Sequence, residues 1–439
     1  MTLDKLTFYI FIALNAAMII RWLWDKRCRG YGFPFFAGGI ALAMVVPQGI
    51  ALLKHDYLMP QGAFRLVMIF ASLCTVAIWA GFKLGLSCRH CPRLFRNEVL
   101  DDETLYRCAL TFTIIGGIFQ IWLANTVIQL NESRQWTGLA TVLHFFSLYS
   151  IVGVMIGMYL YLKNRWRKAL ILVLVGFWFI VPLVIFHGRR AVTMQLLATL
   201  VIPLWFVRKK ALPRLLMLAI IAGMVLVMFL TNDFRRVMLS DDYEGMGYVD
   251  RLNELDVADA WSKVTEQNGG GGELLNCVHG VSAARELGKY DFGLPLWNWV
   301  VWSYVPAQFV GRDFKQRLYI DVNWPNYQVT RECYPDYEDM VGSMWLGYTD
   351  AFQSYWWLGW IPFFVISWLM GWLYSIAEAG SGAATCLYTW YITPALHIVP
   401  AMTYLFWINL VYLVVFCLPI VMLCRKMKIS KPQPLHGLQ

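Results

Sequence analysis

Apolar stretches long enough to cross a bilayer recur along this chain, and nothing else in it constrains the fold as strongly. A helix needs roughly 18 or more such residues to cover about 30 Å of hydrocarbon. Inside lipid the backbone finds no water, so each stretch must close its hydrogen bonds within itself as a helix. Eleven spans are expected, at residues 8–24, 34–53, 66–82, 108–128, 143–162, 170–186, 192–207, 215–229, 355–376, 385–402 and 405–423. The last two almost touch, and Pro394 and Pro400 are expected to kink or break that hairpin. Composition points the same way. The chain is 59% hydrophobic and 15% charged, where soluble domains run at about 45–50% and about 25%. Its 21 Trp residues suit the bilayer–water interface. The fold class expected is an all-α polytopic membrane protein.

Lys and Arg sort between alternate connections. One set holds Lys26, Arg27, Arg29, Lys83, Arg89, Arg93, Arg96, Arg107, Lys163, Arg165, Arg167, Lys168, Arg208, Lys209, Lys210 and Arg214, and ends in the tail with Arg425, Lys426, Lys428 and Lys431. The opposite short connections hold only Lys54, Arg65, Arg134, Arg189 and Arg190. Positive residues stay on the cytoplasmic side, so the amino terminus is expected outside and the carboxyl terminus inside. Only the inner connection at 377–384 lacks Lys and Arg. The net charge of +9 is then a topology signal with contact to anionic lipid, and no nucleic-acid partner is expected. Residues 1–6 lack the basic segment and cleavage site of a signal peptide, so the first apolar run is read as a retained helix.

Three regions follow: a transmembrane bundle at 1–230, one large extracytoplasmic loop at 231–354, and transmembrane helices with a basic cytoplasmic tail at 355–439. The loop opens with an acidic stretch (Asp241, Asp242, Glu244, Asp250, Glu254, Asp256, Asp259) and breaks at four glycines, 269–272. Residues 273–287 read as a helix. Residues 294–309 read as an amphipathic segment whose Trp297, Trp299, Trp302 and Tyr304 suit a membrane interface. No internal repeat is present.

Few residues carry chemistry. Cys88 and Cys91 have CxxC spacing, but zinc takes about four ligands and no second Cys/His pair lies in that connection, so free thiols are the default and no metal is expected. Cys277 and Cys333 are the two cysteines of the large loop. An oxidising compartment favours their pairing, yet sequence does not supply their separation, and both states stand. His187-Gly188-Arg189-Arg190 places two guanidinium groups on the side depleted of positive charge. They are either anchors at helix ends or an anion clamp, since the planar fork of Arg matches phosphate oxygens. Arg235 and Arg236 follow the eighth span, and Arg312 and Arg317 follow the amphipathic segment. Such a set suits a lipid phosphate or pyrophosphate, with positive charge placed where negative charge develops on a leaving group. His279 is the one histidine of the large loop, and its imidazole titrates near neutrality. It is either structural or a base for a sugar hydroxyl. Glu273, Asp291, Glu338, Asp339 and Asp350 are competing bases.

Gly188-Arg189-Arg190, the late outer loop, and the segment Gly342-Ser-Met-Trp-Leu-Gly347 with Gly359 and Gly371 together resemble the O-antigen polymerases (Wzy-type) and oligosaccharide repeat-unit polymerases, and more distantly the O-antigen ligases. The resemblance implies a GT-C-like, metal-independent glycosyltransferase of the bacterial inner membrane. It implies polymerisation of undecaprenyl-pyrophosphate-linked glycan repeat units at the periplasmic face, with inversion at the anomeric carbon and no cofactor. Arg190 (or Arg189) and Arg235 or Arg236 would then bind pyrophosphate, with Arg312 and Arg317 as further anion contacts. His279 would match the loop histidine of the ligases. Membrane lipid and a polysaccharide chain-length regulator are candidate partners. An O-antigen ligase, a flippase for lipid-linked sugars and a non-catalytic export partner remain alternative expectations. The charge distribution predicts alkaline phosphatase fusions active at Asp56 and Arg189 and inactive at Arg93 and Lys209. The reverse pattern would invert the topology.

Overall fold

The computed structural model describes residues 3–88, 90–96, 100–126, 129–130, 136–185, 190–220, 222–223, 250, 272–320, 327–337 and 345–429. The described chain is helical except for one antiparallel pair of two-residue strands, β1 (Gln129–Leu130) and β2 (Trp136–Thr137). In order the first helices are α1 (Leu3–Trp24), α2 (Phe33–Lys54), α3 (Ala63–Ser87), α4 (Asp102–Ala124), α5 (Leu139–Ser147), α6 (Tyr149–Asn164), α7 (Arg167–Ile185) and α8 (Arg190–Arg208). Then come α9 (Gly272–Leu287), α10 (Pro295–Tyr304), α11 (Ala307–Val310), α12 (Arg312–Arg317) and α13 (Tyr327–Cys333). The chain closes with α14 (Gly347–Tyr355), α15 (Trp360–Glu378), α16 (Gly382–Leu396), α17 (Tyr404–Val411) and α18 (Leu418–Ile429).

Among the described residues, eight helical stretches are long and apolar enough to cross a membrane. They match eight of the eleven expected spans, and the protein is a polytopic membrane protein. The expected span at 170–186 falls on α7, where nothing is described of the side chains from 182 onward. Residues 221 and 224–229 of the span expected at 215–229, and the acidic stretch apart from Asp250, lie outside the described residues. The span expected at 385–402 is shorter than its apolar content implied. α16 has 15 residues and gives way to turns at 397–400. Pro394 is carried inside the helix, and the break comes after it.

Among the described residues α3 and α15 share the most extensive helix–helix interface. The reason is at Gly81 and Gly85, four residues apart, and at Gly371. A side chain at Gly81 would collide with the Phe364 carbonyl, one at Gly85 with the Trp368 carbonyl, and one at Gly371 with the Phe82 carbonyl. Small residues at this spacing let two membrane helices approach backbone to backbone. Ser367 Oγ donates to the Ile78 carbonyl at 2.6 Å in the same seam. Near one end, Ser381 caps α16 at Ala384 N (3.2 Å) and its hydroxyl donates to the Phe95 carbonyl (2.6 Å), tying the connection after α3 to the α15–α16 turn.

In α9, residues 274–284 are all buried. Its first turn is held by Gln48 of α2, whose Oε1 accepts from Leu274 N at 2.8 Å and whose Nε2 donates to Glu273 Oε2 at 2.9 Å. The helix expected at 273–287 is therefore present, and its buried face packs on α2, α3, α13 and α14. Small residues (Gly280, Ser282, Ala283, Ala284) make that packing feasible. Overfilling the α3–α15 seam with Gly85→Leu is expected to destabilise the protein by about 1–3 kcal/mol, read as a lower melting temperature in detergent. Leu84→Ile, at a residue 52% exposed on the outside of the same helix, is expected to leave it unchanged.

Candidate functional site

Two elements far apart in sequence build the site around His279. α9 presents Asn276, His279, Ser282 and Glu286, whose i, i+3/i+4 spacing sets them on one face. α13 and the turn after it bring Tyr334 and Tyr337. The turn is closed by Tyr334 N donating to the Thr330 carbonyl (2.7 Å) and Tyr337 N to the Tyr334 carbonyl (3.0 Å). Tyr337 stacks on the imidazole, with ring centroids 3.9 Å apart and 13° between planes, and its hydroxyl donates to Asn276 Oδ1. Tyr334 meets the imidazole edge-on at 5.3 Å.

The imidazole has a defined tautomer. Nδ1 lies 3.1 Å from the Leu275 carbonyl, and a carbonyl oxygen only accepts, so Nδ1 carries the proton. Nε2 is left with its lone pair, and among the described residues it has no hydrogen-bond partner. Burial disfavours the imidazolium and lowers the His279 pKa from its ordinary value, while the Leu275 hydrogen bond opposes that shift. Next to it, Glu286 Oε1 accepts from Tyr334 (2.8 Å) and Ser282 (3.0 Å), and Oε2 accepts from Cys333 Sγ at 3.3 Å. The Tyr334 hydrogen bond leads in holding this carboxyl below its usual range, helped by Cys333, Ser282 and the charge of Arg285. Lys289 and Glu332 close the far end with an ion pair at 2.6 Å.

All ten cysteines are free thiols. Cys277 is fully buried on α9, and Cys333 is turned to Glu286, so the two are not joined. Cys88 and Cys91 line a separate cavity of about 610 Å³ with Arg27, Arg96 and Glu378. Arg190 begins α8, but its side chain is outside the description, and Arg189, Arg235 and Arg236 lie outside the described residues. Arg312 and Arg317 are exposed at the two ends of α12 and form no hydrogen bond or ion pair with the His279 group. Of the competing bases, Glu273 is held by Gln48. Asp291 receives the Gly293 N–H at 3.0 Å, and burial raises its pKa. Asp350 is sealed inside the bundle, and Glu338 and Asp339 lie outside the described residues. Sequence reasoning missed Tyr334, Tyr337, Ser282 and Glu286. Only the tyrosine spacing in Tyr334-Pro-Asp-Tyr337 hints at a folded turn.

No protein-family model matches the chain, and no curated protein or solved structure matches it. The fold and the site define the class alone: an all-helical polytopic membrane protein with a neutral histidine held under two tyrosines.

A histidine that prefers to stay neutral when folded has a pKa below its unfolded value of about 6.5. Its contribution to stability is present above that value and is lost as pH falls through the depressed folded pKa. His279→Gln is expected to flatten this acid limb of the melting temperature measured against pH. A limb of unchanged steepness would remove His279 from it.

Proposed function

We propose that this chain is a metal-independent polysaccharide polymerase. Its substrates are undecaprenyl-pyrophosphate-linked oligosaccharide repeat units, joined at the periplasmic face of a bacterial inner membrane. One observation carries the reading: the tautomer of His279, with Nδ1–H bonded to Leu275 and the Nε2 lone pair uncommitted. That is the state a general base needs at neutral pH, and burial, by disfavouring the imidazolium, keeps Nε2 unprotonated there. In the reaction the acceptor hydroxyl gives its proton to Nε2 as its oxygen bonds to the anomeric carbon. The bond from that carbon to pyrophosphate breaks, its electron pair leaves on the lipid diphosphate, and the configuration inverts. Arg190 and Arg235, with Arg189 and Arg236, are assigned to the diphosphate, where a guanidinium fork pairs with two oxygens. The Tyr337 ring fixes the imidazole plane, and Asn276 fixes the Tyr337 hydroxyl.

A second reading, a transporter for lipid-linked sugars, is favoured by the interrupted helices α14–α15 and α16–α17, a feature of many transporters. Accumulation of lipid-linked units on the inner leaflet of a deletion strain would select it. The polymerase reading expects His279→Gln to cut polymer formation by about 10²–10⁴-fold at unchanged membrane abundance, with single capped repeats accumulating. Arg190→Lys is also expected to be impaired, because an ammonium keeps the charge and loses the fork. Full polymer ladders from His279→Gln would refute the assignment of the base.

A further inference from the structure

We propose that the junction of α14 with the elbow between α16 and α17 is a binding site for a small monovalent metal cation, Na⁺. Asp350 is its centre. The residue is 2% exposed, and its Oδ2 accepts from Thr403 N at 3.0 Å and from Thr403 Oγ1 at 2.5 Å. That half of the carboxylate has a structural task, since it caps the start of α17. The other oxygen, Oδ1, is sealed from solvent and has no partner among the described residues. No Lys, Arg or His pairs with Asp350 among the described residues. A carboxylate taken out of water without a counter-charge is costly.

Two more oxygens are buried beside it. Gln353 Oε1 has no partner among the described residues, and Thr349 Oγ1 meets only the Cys277 thiol, a weak hydrogen-bonding group. Gln353 commits its amide nitrogen to the Gly280 carbonyl at 3.3 Å, which fixes the amide with its oxygen directed elsewhere. At 3.6 residues per turn, positions 349, 350 and 353 fall within about 100° of the α14 surface. The three oxygens therefore share one side of one short helix.

The backbone gives an independent reason. α16 rises only about 22 Å at 1.5 Å per residue, short of the roughly 30 Å of hydrocarbon. The elbow that follows it is enclosed by protein, with Ile398, Val399, Ala401 and Thr403 all at most 2% exposed. α14 is itself interrupted from α15 by a 3-10 turn at Trp356–Gly359. Gly347 N donates to the Val399 carbonyl at 3.2 Å, and Gly347 leaves no room for a side chain beside the Ile398 carbonyl. Irregular backbone at membrane depth is tolerated where it is enclosed by protein, and in interrupted helices it coordinates ions. A carboxylate, an amide oxygen and a hydroxyl are hard donors that suit alkali and alkaline-earth ions. One negative charge is balanced by one positive charge, and the tight enclosure of Thr349, Asp350 and Gln353, each at most 2% exposed, favours the smaller ion.

Thermal unfolding of the full chain in detergent, at equal ionic strength in NaCl, KCl and choline chloride, tests the site. A ligand that binds only the folded state raises the melting temperature saturably. NaCl is expected to do so, KCl less, and choline chloride not at all. Asp350→Asn keeps a carbonyl acceptor for Thr403 N and is expected to fold but lose the Na⁺ response. Thr349→Val keeps shape without the hydroxyl oxygen and is expected to raise the half-saturating Na⁺ concentration about tenfold. Superimposable curves for the native chain in the three salts would overturn the site, as would a Na⁺ response that survives in Asp350→Asn. If Asp350→Asn does not fold, an unchanged half-saturation in Thr349→Val overturns it. No glycan enters these measurements, so they stand apart from the polymerase reading.

Discussion

A polar group enclosed among membrane helices has no water to fall back on, and the arrangement of this protein follows from how that demand is met. Gln48 is the clearest case. It sits on α2 among apolar neighbours, yet its amide is satisfied on both sides by the first turn of α9. The interaction works in both directions. Without α9 the Gln48 amide is stranded in an apolar bundle, and without Gln48 the Leu274 N–H at the start of α9 loses its acceptor. A stranded buried group costs about 1–3 kcal/mol. This pairing fastens a segment distant in sequence to α2, and with it His279.

Once α9 is fixed, the rest of the site follows from geometry. Its buried face packs on α3 and α14, and its polar residues Ser282 and Glu286 turn toward α13. Tyr334 and Tyr337 then close over the imidazole, each held by a hydroxyl hydrogen bond to the same helix. The ring is confined by stacking on one face, by an edge contact, and by the Leu275 carbonyl at Nδ1. Among the described residues the arrangement leaves the Nε2 lone pair of the imidazole without a partner.

The spans were readable from sequence because lipid asks for one thing, continuous apolar length, and the chain states it plainly at 34–53 or 66–82. The elbow after α16 was legible only in part: Pro394 and Pro400 marked a break, but residues 385–402 carry no Asp, Glu, Lys or Arg, and length alone does not reveal where a helix stops. α9 was recognised as a helix but not as an enclosed one. Its Gly, Ser, Ala and Asn residues lower its apolar content, although those small side chains are what allow it to fit between larger helices. His279 was visible as an isolated histidine. Tyr334 and Tyr337, more than 50 residues further along, share no local period with it, and only the tertiary fold brings them together. Of the arginines singled out as an anion clamp, Arg312 and Arg317 are exposed on α12. Charge and spacing in a sequence do not say which surface a short helix will face.

The glycine seam between α3 and α15 has a mechanical consequence. Where side chains separate two helices, rotamer changes let them slide; where backbones touch, that freedom is absent. α3 and α15 therefore form a stiff keel, and any change of shape must be taken up beside it. The interruption at Trp356–Gly359, entered through a tryptophan at φ 52°, lies directly at the end of α15. Motion of α14 relative to the keel would pivot there, carrying Asp350 and the Gln353–Gly280 contact with it, so a shift at the elbow would be felt by α9.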